Sequence, residues 1–322
     1  MAAITADGLS KTYTVREKKG LFGRSARRVE ALKGVSFDIE AGELVGYIGP
    51  NGAGKSTTVK ILSGILTPDG GRCSVLGLSP WASRVKHAAR IGVVFGQRSQ
   101  LWWDLPVIDS FSLLKDIYRI HAADYKKTLD ELSGRLSLDE LLKTPVRQLS
   151  LGQRMRCELA ASLLHSPQVL FLDEPTIGLD AATKLAVRDF IRHINRERGV
   201  TAILTTHDMD DIESLCSRVM LIGAGEKLLD GDISLLRRGR DERVLTCEVE
   251  RPAAARLDAR VLSCEASGRT LTIRFDPAIV TAAQLIGELD AQCGVGDVTV
   301  ERTPIERVVA KVYAELAGGT AV

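Results

Sequence analysis

The 322-residue chain carries 43 basic against 41 acidic side chains, a formal charge of +2, so no global field holds a polyanion and a nucleic-acid partner is not expected. Its 45% apolar content supports a sizeable core, and its length suits one large domain plus a smaller one. Apolar residues come in short runs, none near the roughly 18 that cross a bilayer. Met1-Ala2-Ala3-Ile4-Thr5-Ala6-Asp7 has neither the basic start nor the apolar stretch of an export signal, so the chain is expected to stay in the cytoplasm. Cys73, Cys157, Cys216, Cys247, Cys264 and Cys293 form no C-x-x-C pair and read as buried, reduced thiols.

Tyr13 comes first among the candidate residues, followed by Arg16 to Arg28, which holds six basic residues and one acidic. That stretch reads as a solvated loop, with a surface grazing a membrane or a membrane protein as the alternative. Glu43 to Ile48 is strand-like, a helix starts at Gly54, and Ile91 to Phe95 and Val169 to Leu172 are again strand-like, an alternation that predicts an α/β sheet. Between the last two, apolar spacing in Phe111 to Tyr118 and Leu129 to Leu142 predicts a helical subdomain over about residues 98–166. Strand Thr201 to Thr205, helix Met209 to Cys216 and strand Arg218 to Ile222 complete a first domain, residues 1–239.

Past Arg240 the pattern turns to period-two alternation. Val244 to Glu250, Val261 to Glu265, Thr270 to Phe275 and Asp297 to Glu301 predict strands, with helices near Ala253 to Leu257 and over Ala282 to Ala291. The order predicts a small α+β, ferredoxin-like domain over residues 240–322, closed by a helix from Ile305 to Leu316.

Gly49-Pro50-Asn51-Gly52-Ala53-Gly54-Lys55-Ser56 fits G-x-x-x-x-G-K-[ST], after a predicted strand and at the start of a predicted helix. Its glycines let backbone N–H groups turn around a polyphosphate, and the helix N-terminus adds partial positive charge. Lys55 would reach the β/γ-phosphates and the Ser56 hydroxyl would bind Mg²⁺, with Thr57 the next residue in the binding set. Val169-Leu170-Phe171-Leu172-Asp173-Glu174 ends an apolar strand in two carboxylates. Asp173 can hold the metal through water, and Glu174 can act as base toward an attacking water. Alone, this ending is equally an ordinary solvated strand end; beside a phosphate loop it points to hydrolysis.

With Leu149-Ser150-Leu151-Gly152-Gln153 upstream of that strand and Gly178-Leu179-Asp180 downstream, the sequence resembles the ATP-binding cassette family over about its first 230 residues. The resemblance implies that Gln97 touches Mg²⁺ and water and senses a membrane subunit, and that His207 contacts the γ-phosphate. It also implies that Asp180 aligns two cassettes and that Tyr13 stacks on adenine, a buried core tyrosine being the alternative. Leu151 stands where the family commonly has glycine, while Ser150 and Gly152 are intact. The following helix, Met155 to Leu164, points its N-terminus at an anion, which in this family belongs to the other cassette.

The implied machine is a homodimer, or a paired cassette, sandwiching two ATP with Mg²⁺. Separate integral-membrane permease subunits hold it on the inner face of the cell membrane. Trp102 or Trp103 would line the permease groove, or the two simply pack the helical subdomain. Residues Gln97 to Ile108 and Ser150 to Thr206, with the C-terminal unit, look closest to the daunorubicin-resistance and viologen-exporter-like branch, which implies export. An importer cassette, a soluble non-transport ATPase and a non-hydrolysing scaffold are the alternatives.

Overall fold

The computed structural model describes residues 2–19, 23–96, 98–237, 242–251, 257 and 260–317. Its first elements are two long strands, β1 (Ala2–Lys19) and β2 (Gly23–Glu40). They pair antiparallel from Ala2↔Glu40 out to Lys19↔Gly23. Residues 16–19 and 23–28 are therefore strand, where the sequence suggested a loop. Tyr13↔Val29, Thr14↔Arg28 and Val15↔Arg27 set a ladder rich in β-branched and aromatic residues, and the basic residues beyond extend it.

Next come β3 (Leu44–Ile48), α1 (Lys55–Leu62) and β4 (Gly70–Val75). β4 pairs with β1 to give an antiparallel sheet of order β2-β1-β4. The short α2 (Arg84–Ala88) leads to β5 (Ile91–Phe95). Three α-helices and a short 3-10 turn (Val146–Gln148) follow before the next strand, the α-helices being α3 (Val107–Ile117), α4 (Ala122–Leu136) and α5 (Leu151–Leu163). Phe111, Leu132, Leu136, Val146 and Leu159 are buried among them.

The chain then alternates: β6 (Val169–Asp173), α6 (Ala181–Arg198), β7 (Thr201–Thr205), α7 (Met209–Leu215), β8 (Arg218–Gly223) and β9 (Glu226–Asp232). The main sheet runs β5-β6-β7-β3-β8-β9, and the pairs β5–β6, β6–β7, β7–β3 and β3–β8 are parallel. β3 and β7 are buried at every position, as expected for parallel strands covered on both faces. One core joins Ile4, Leu9 and Phe37 of the antiparallel sheet to Ile61 and Leu62 of α1 and to Tyr47, Phe171 and Met220 of the main sheet. Aligned parallel strands end on one edge of a sheet, and that edge carries the site.

The chain divides into two compact units, Met1–Gly231 and Asp232–Val322. The division lies ahead of residue 239, because α8 (Ser234–Arg237) packs against α10 (Ile305–Ala317) within the second unit. That unit contains β10 (Arg243–Val249), β11 (Val261–Ser267), β12 (Thr270–Phe275), α9 (Ala282–Cys293) and β13 (Val295–Arg302). Its antiparallel sheet runs β11-β12-β10-β13, so the first and third strands in chain order are neighbours. Leu285, Leu289 and Cys293 of α9 pack on Leu245, Cys247, Ile273 and Phe275. The helix expected near Ala253 to Leu257 falls mostly outside the described residues.

Five cysteines are buried and free, as the sequence suggested, but Cys264 is exposed. It sits on β11, an edge strand with little packed over it. Among the described residues no helix is long and apolar enough to cross a membrane.

Candidate functional site

β6, β7 and β3 lie side by side in that order, and each delivers one part of the site at its C-terminal end. The loop after β3 is Gly49 to Gly54. Gly54 caps α1 with φ +108°, and a Cβ there would lie 2.5 Å from the Ala31 carbonyl oxygen, so only glycine fits this close approach. Beneath the loop, the fully buried Tyr47 hydroxyl lies 3.0 Å from Thr58 Oγ1. Thr58 in turn donates through its backbone N–H (2.9 Å) and hydroxyl (3.1 Å) to the Gly54 carbonyl. The base of the cradle is thus fixed to the sheet.

Lys55 is buried, and its ammonium donates to the carbonyls of Gly49 (2.6 Å) and Pro50 (3.2 Å). Burial pulls its pKa below the usual lysine value, against the opposing fields of Glu174 and Asp173. Carbonyl dipoles do not neutralise a buried ammonium, so an anion in the loop is its natural counter-charge.

Asp173 ends β6. Its Oδ1 accepts from the Ser56 hydroxyl at 3.3 Å and from the Thr205 hydroxyl at the end of β7. A hydroxyl beside a carboxylate is the hard oxygen donor set that suits Mg²⁺. Among the described residues no cluster of three His, Cys, Asp or Glu could hold a metal by itself, so such an ion would take its other ligands from phosphate and water. Glu174 follows in the left-handed region, φ +58°. Its backbone N–H donates to the Thr205 carbonyl at 2.9 Å. A Cβ on Gly96, at the end of β5, would lie 2.1 Å from the Glu174 carbonyl oxygen, so Gly96 is the residue that leaves room for this turn. His207, just past β7, places Nδ1 2.7 Å from Glu174 Oε2.

Gly54, Lys55, Ser56, Gly96, Asp173, Glu174 and His207 line one cavity of about 610 Å³, together with Tyr13, Asn51, Gly52 and Thr57. Tyr13 is half-buried at its rim, with its hydroxyl 3.4 Å from Thr57 Oγ1, rather than sealed in the core. Val29, Ala31, Ile65 and Arg98 also line the cavity and were not read from the sequence. Val29 faces inward beside Tyr13 only because the two pair across the β1–β2 ladder, a relation that linear spacing does not display. Gln97 lies outside the described residues.

None of Ser150, Leu151, Gly152 or Gln153 lines that cavity. Ser150 caps α5: its hydroxyl accepts from the Gln153 N–H at 3.2 Å, while Gln153 Oε1 accepts from the Ser150 N–H at 2.8 Å. The helix therefore starts at Leu151, earlier than Met155, because this reciprocal cap defines its first turn. A Cβ on Gly178 would come 2.9 Å from Leu151 Cδ2, so the leucine side chain rests against Gly178. Asp180 also stands outside the cavity. It caps α6, accepting from the Thr183 N–H (3.0 Å) and hydroxyl (2.7 Å), and these bonds hold its carboxyl below the usual range. Trp102 and Trp103 are 40% and 52% exposed, with the Arg154 guanidinium 5.7 Å from the Trp103 ring centre.

A phosphate-sized loop opening a helix, with a carboxylate pair on a parallel strand of the same sheet edge, defines a P-loop nucleotide-binding protein. The model of the ABC transporter family matches residues 32–177. The daunorubicin resistance ATP-binding protein DrrA3 of Streptomyces coeruleorubidus is 36% identical over 235 residues, which are 73% of this chain and 70% of that protein. The probable multidrug ABC transporter ATP-binding protein YbhF of Escherichia coli (strain K12) is 37% identical over 199 residues, 61% of this chain. The chain spans only about a third, 34%, of the length of YbhF. The dimeric, post-hydrolysis ATP-binding cassette MJ0796 bound to ADP and Pi superposes with a TM-score of 0.61 at 26% identity, covering 71% of this chain and 98% of its own. The chain belongs to the ABC transporter ATP-binding family.

Proposed function

We propose that this chain hydrolyses ATP as one half of a two-cassette engine that drives a separate permease, in the direction of export. One observation carries the reading: the cavity holds the phosphate loop, Asp173, Glu174 and His207, while Ser150 to Gln153 open a helix elsewhere on the same unit. A second copy can bring its own Ser150 helix end to the open side of the cavity, where backbone N–H groups and the helix dipole favour an anion. MJ0796 is dimeric in its nucleotide-bound form, which supports the same arrangement here.

In this reading the loop N–H groups and Lys55 bind the triphosphate, and Tyr13 stacks on the base. Ser56 and Asp173, joined by Gln97, would hold Mg²⁺, which when bound offsets charge on the phosphates. Glu174 takes a proton from the attacking water at its carboxylate. His207, 2.7 Å from that carboxylate, orients it and faces the γ-phosphate. Asp180 aligns the twin, and ATP closes the pair because it contacts both copies, so hydrolysis releases them. The relatives named for multidrug transport and daunorubicin resistance support export. The exposed Trp102–Trp103 pair is the surface where the permease docks, and that partner holds the chain at the cytoplasmic face of the membrane.

The test is Glu174→Gln. It keeps the shape of the side chain and removes the base, so ATP binding is retained, turnover falls about 10²-fold or more, and the protein elutes as a dimer in ATP. A monomer at saturating ATP would overturn the shared site.

A further inference from the structure

Lys184 and Arg188 lie four residues apart on α6, whose N-cap is Asp180, and so share one helix face. Below the Asp180 cap, Lys184 Nζ donates to Asp208 Oδ2 at 2.5 Å, and Arg188 Nη2 reaches Asp208 Oδ1 at 3.5 Å. Arg188 Nε donates to Asp211 Oδ1 at 2.5 Å. The Asp211 side chain is fully buried and Arg188 is 13% exposed, yet neither lines the nucleotide cavity. The second carboxylate oxygen, Oδ2, accepts from the Thr176 hydroxyl and, at 3.2 Å, from the Thr206 hydroxyl. Thr206 Oγ1 also accepts from the Asp208 N–H at 3.0 Å.

One buried carboxylate therefore joins three segments. Thr176 lies in the turn that carries Glu174, Thr206 immediately precedes His207, and Arg188 belongs to the helix that Asp180 caps. A buried ion pair adds little net stability over apolar side chains of equal volume, because desolvation offsets the attraction. Its fixed geometry is what an apolar patch could not supply.

We infer that the Arg188–Asp211 pair is a positioning joint, which sets the Glu174–His207 couple according to where a second copy holds the start of α6. The inference rests on the proposed two-cassette site. It assigns Arg188, Asp211, Thr176 and Thr206 a part in turnover without contact with nucleotide.

Arg188→Lys keeps the charge and loses the fixed fork of the guanidinium, so it tests geometry apart from charge. Three measurements are made on the whole chain: steady-state kinetics giving kcat and KM for ATP, nucleotide affinity, and ATP-dependent dimer formation in a Glu174→Gln background. The expected result is a kcat lowered at least about tenfold, part of the 10²–10⁴ that a positioned base supplies, with KM, affinity and dimer formation within about twofold. A kcat equal to the parent's overturns the joint, and so does a parallel loss of kcat, affinity and dimer, which is what simple destabilisation produces. If Arg188→Lys fails to fold, Thr176→Val, which removes one hydroxyl from Asp211 at nearly constant volume, is read by the same three measurements. A parent chain that neither hydrolyses ATP nor pairs in it defeats the proposed function, whereas an active parent with an equally active variant defeats only the joint.

Discussion

Glu158 is 4% exposed, yet its carboxylate accepts from the Ser99 hydroxyl and, at 3.2 Å, from the Gln100 N–H. Burial raises its pKa above the ordinary glutamate value, and the hydrogen bonds from Ser99 and Gln100 offset only part of that rise. The sign follows from linkage: a carboxyl raised in the fold contributes stability below its unfolded pKa, and that contribution is lost as pH rises through the folded value. Glu158→Gln keeps an acceptor and adds a donor without charge. The variant should melt above the parent at pH 8, by about 2–4 °C for each kcal/mol relieved, with the gap closing toward pH 4.5. Thermal melts of both proteins across that range check it; an equal gap at every pH would show that Glu158 is not the titrating group.

At the scale of elements, the chain offers an internal control. α5 and α9 both begin with a reciprocal cap, Ser150 with Gln153 and Thr281 with Gln284. Loss of such a cap costs about 1 kcal/mol wherever it sits. Ser150→Ala and Thr281→Ala should therefore lower stability to a similar degree. Only Ser150→Ala should also lower ATP turnover, by about tenfold, if the hydroxyl and oriented helix end at residue 150 complete the partner's site as proposed. Urea titrations set beside steady-state hydrolysis separate the two effects. The elements that carry the cavity were legible for a physical reason: β3, β6 and β7 are buried over nearly their whole length, so Leu44 to Ile48, Val169 to Leu172 and Ala202 to Leu204 read as short runs with no charged residue, each followed closely by cavity-lining residues. The β1–β2 ladder was not legible. Register shifts between Ala6 and Leu9 and between Lys11 and Thr12 interrupt its alternation, and its outer part is basic, so neither the strand beyond Val15 nor the Tyr13–Val29 pairing showed in the spacing. The start of α5 was set too late because the apolar period begins at Met155, whereas the helix is fixed by a cap of polar residues.

For the whole molecule, the decisive question is whether each site is built from one chain or from two. Motif order was legible in the sequence, but the separation of Ser150 from the cavity is a three-dimensional fact, and it makes a prediction that no single-chain site can reproduce. Glu174→Gln removes the base but leaves Ser150 intact, whereas Ser150→Arg blocks the helix end but leaves Glu174 intact. In the proposed two-cassette engine each variant alone would form pairs in which both sites are damaged, so each should be nearly inactive. Mixed in equal amounts before ATP is added, the two chains sort at random in a two-fold pair, so about half of all pairs are mixed. In a mixed pair, one site combines Glu174 from the Ser150→Arg chain with Ser150 from the Glu174→Gln chain and is whole, while the other carries both lesions. Activity should therefore recover to about a quarter of the parent rate, provided one whole site turns over by itself. Steady-state hydrolysis by the mixture, against each variant alone at the same total concentration, is the measurement. If the mixture does no better than the average of its parts while both variants bind ATP and pair, Ser150 acts within its own chain.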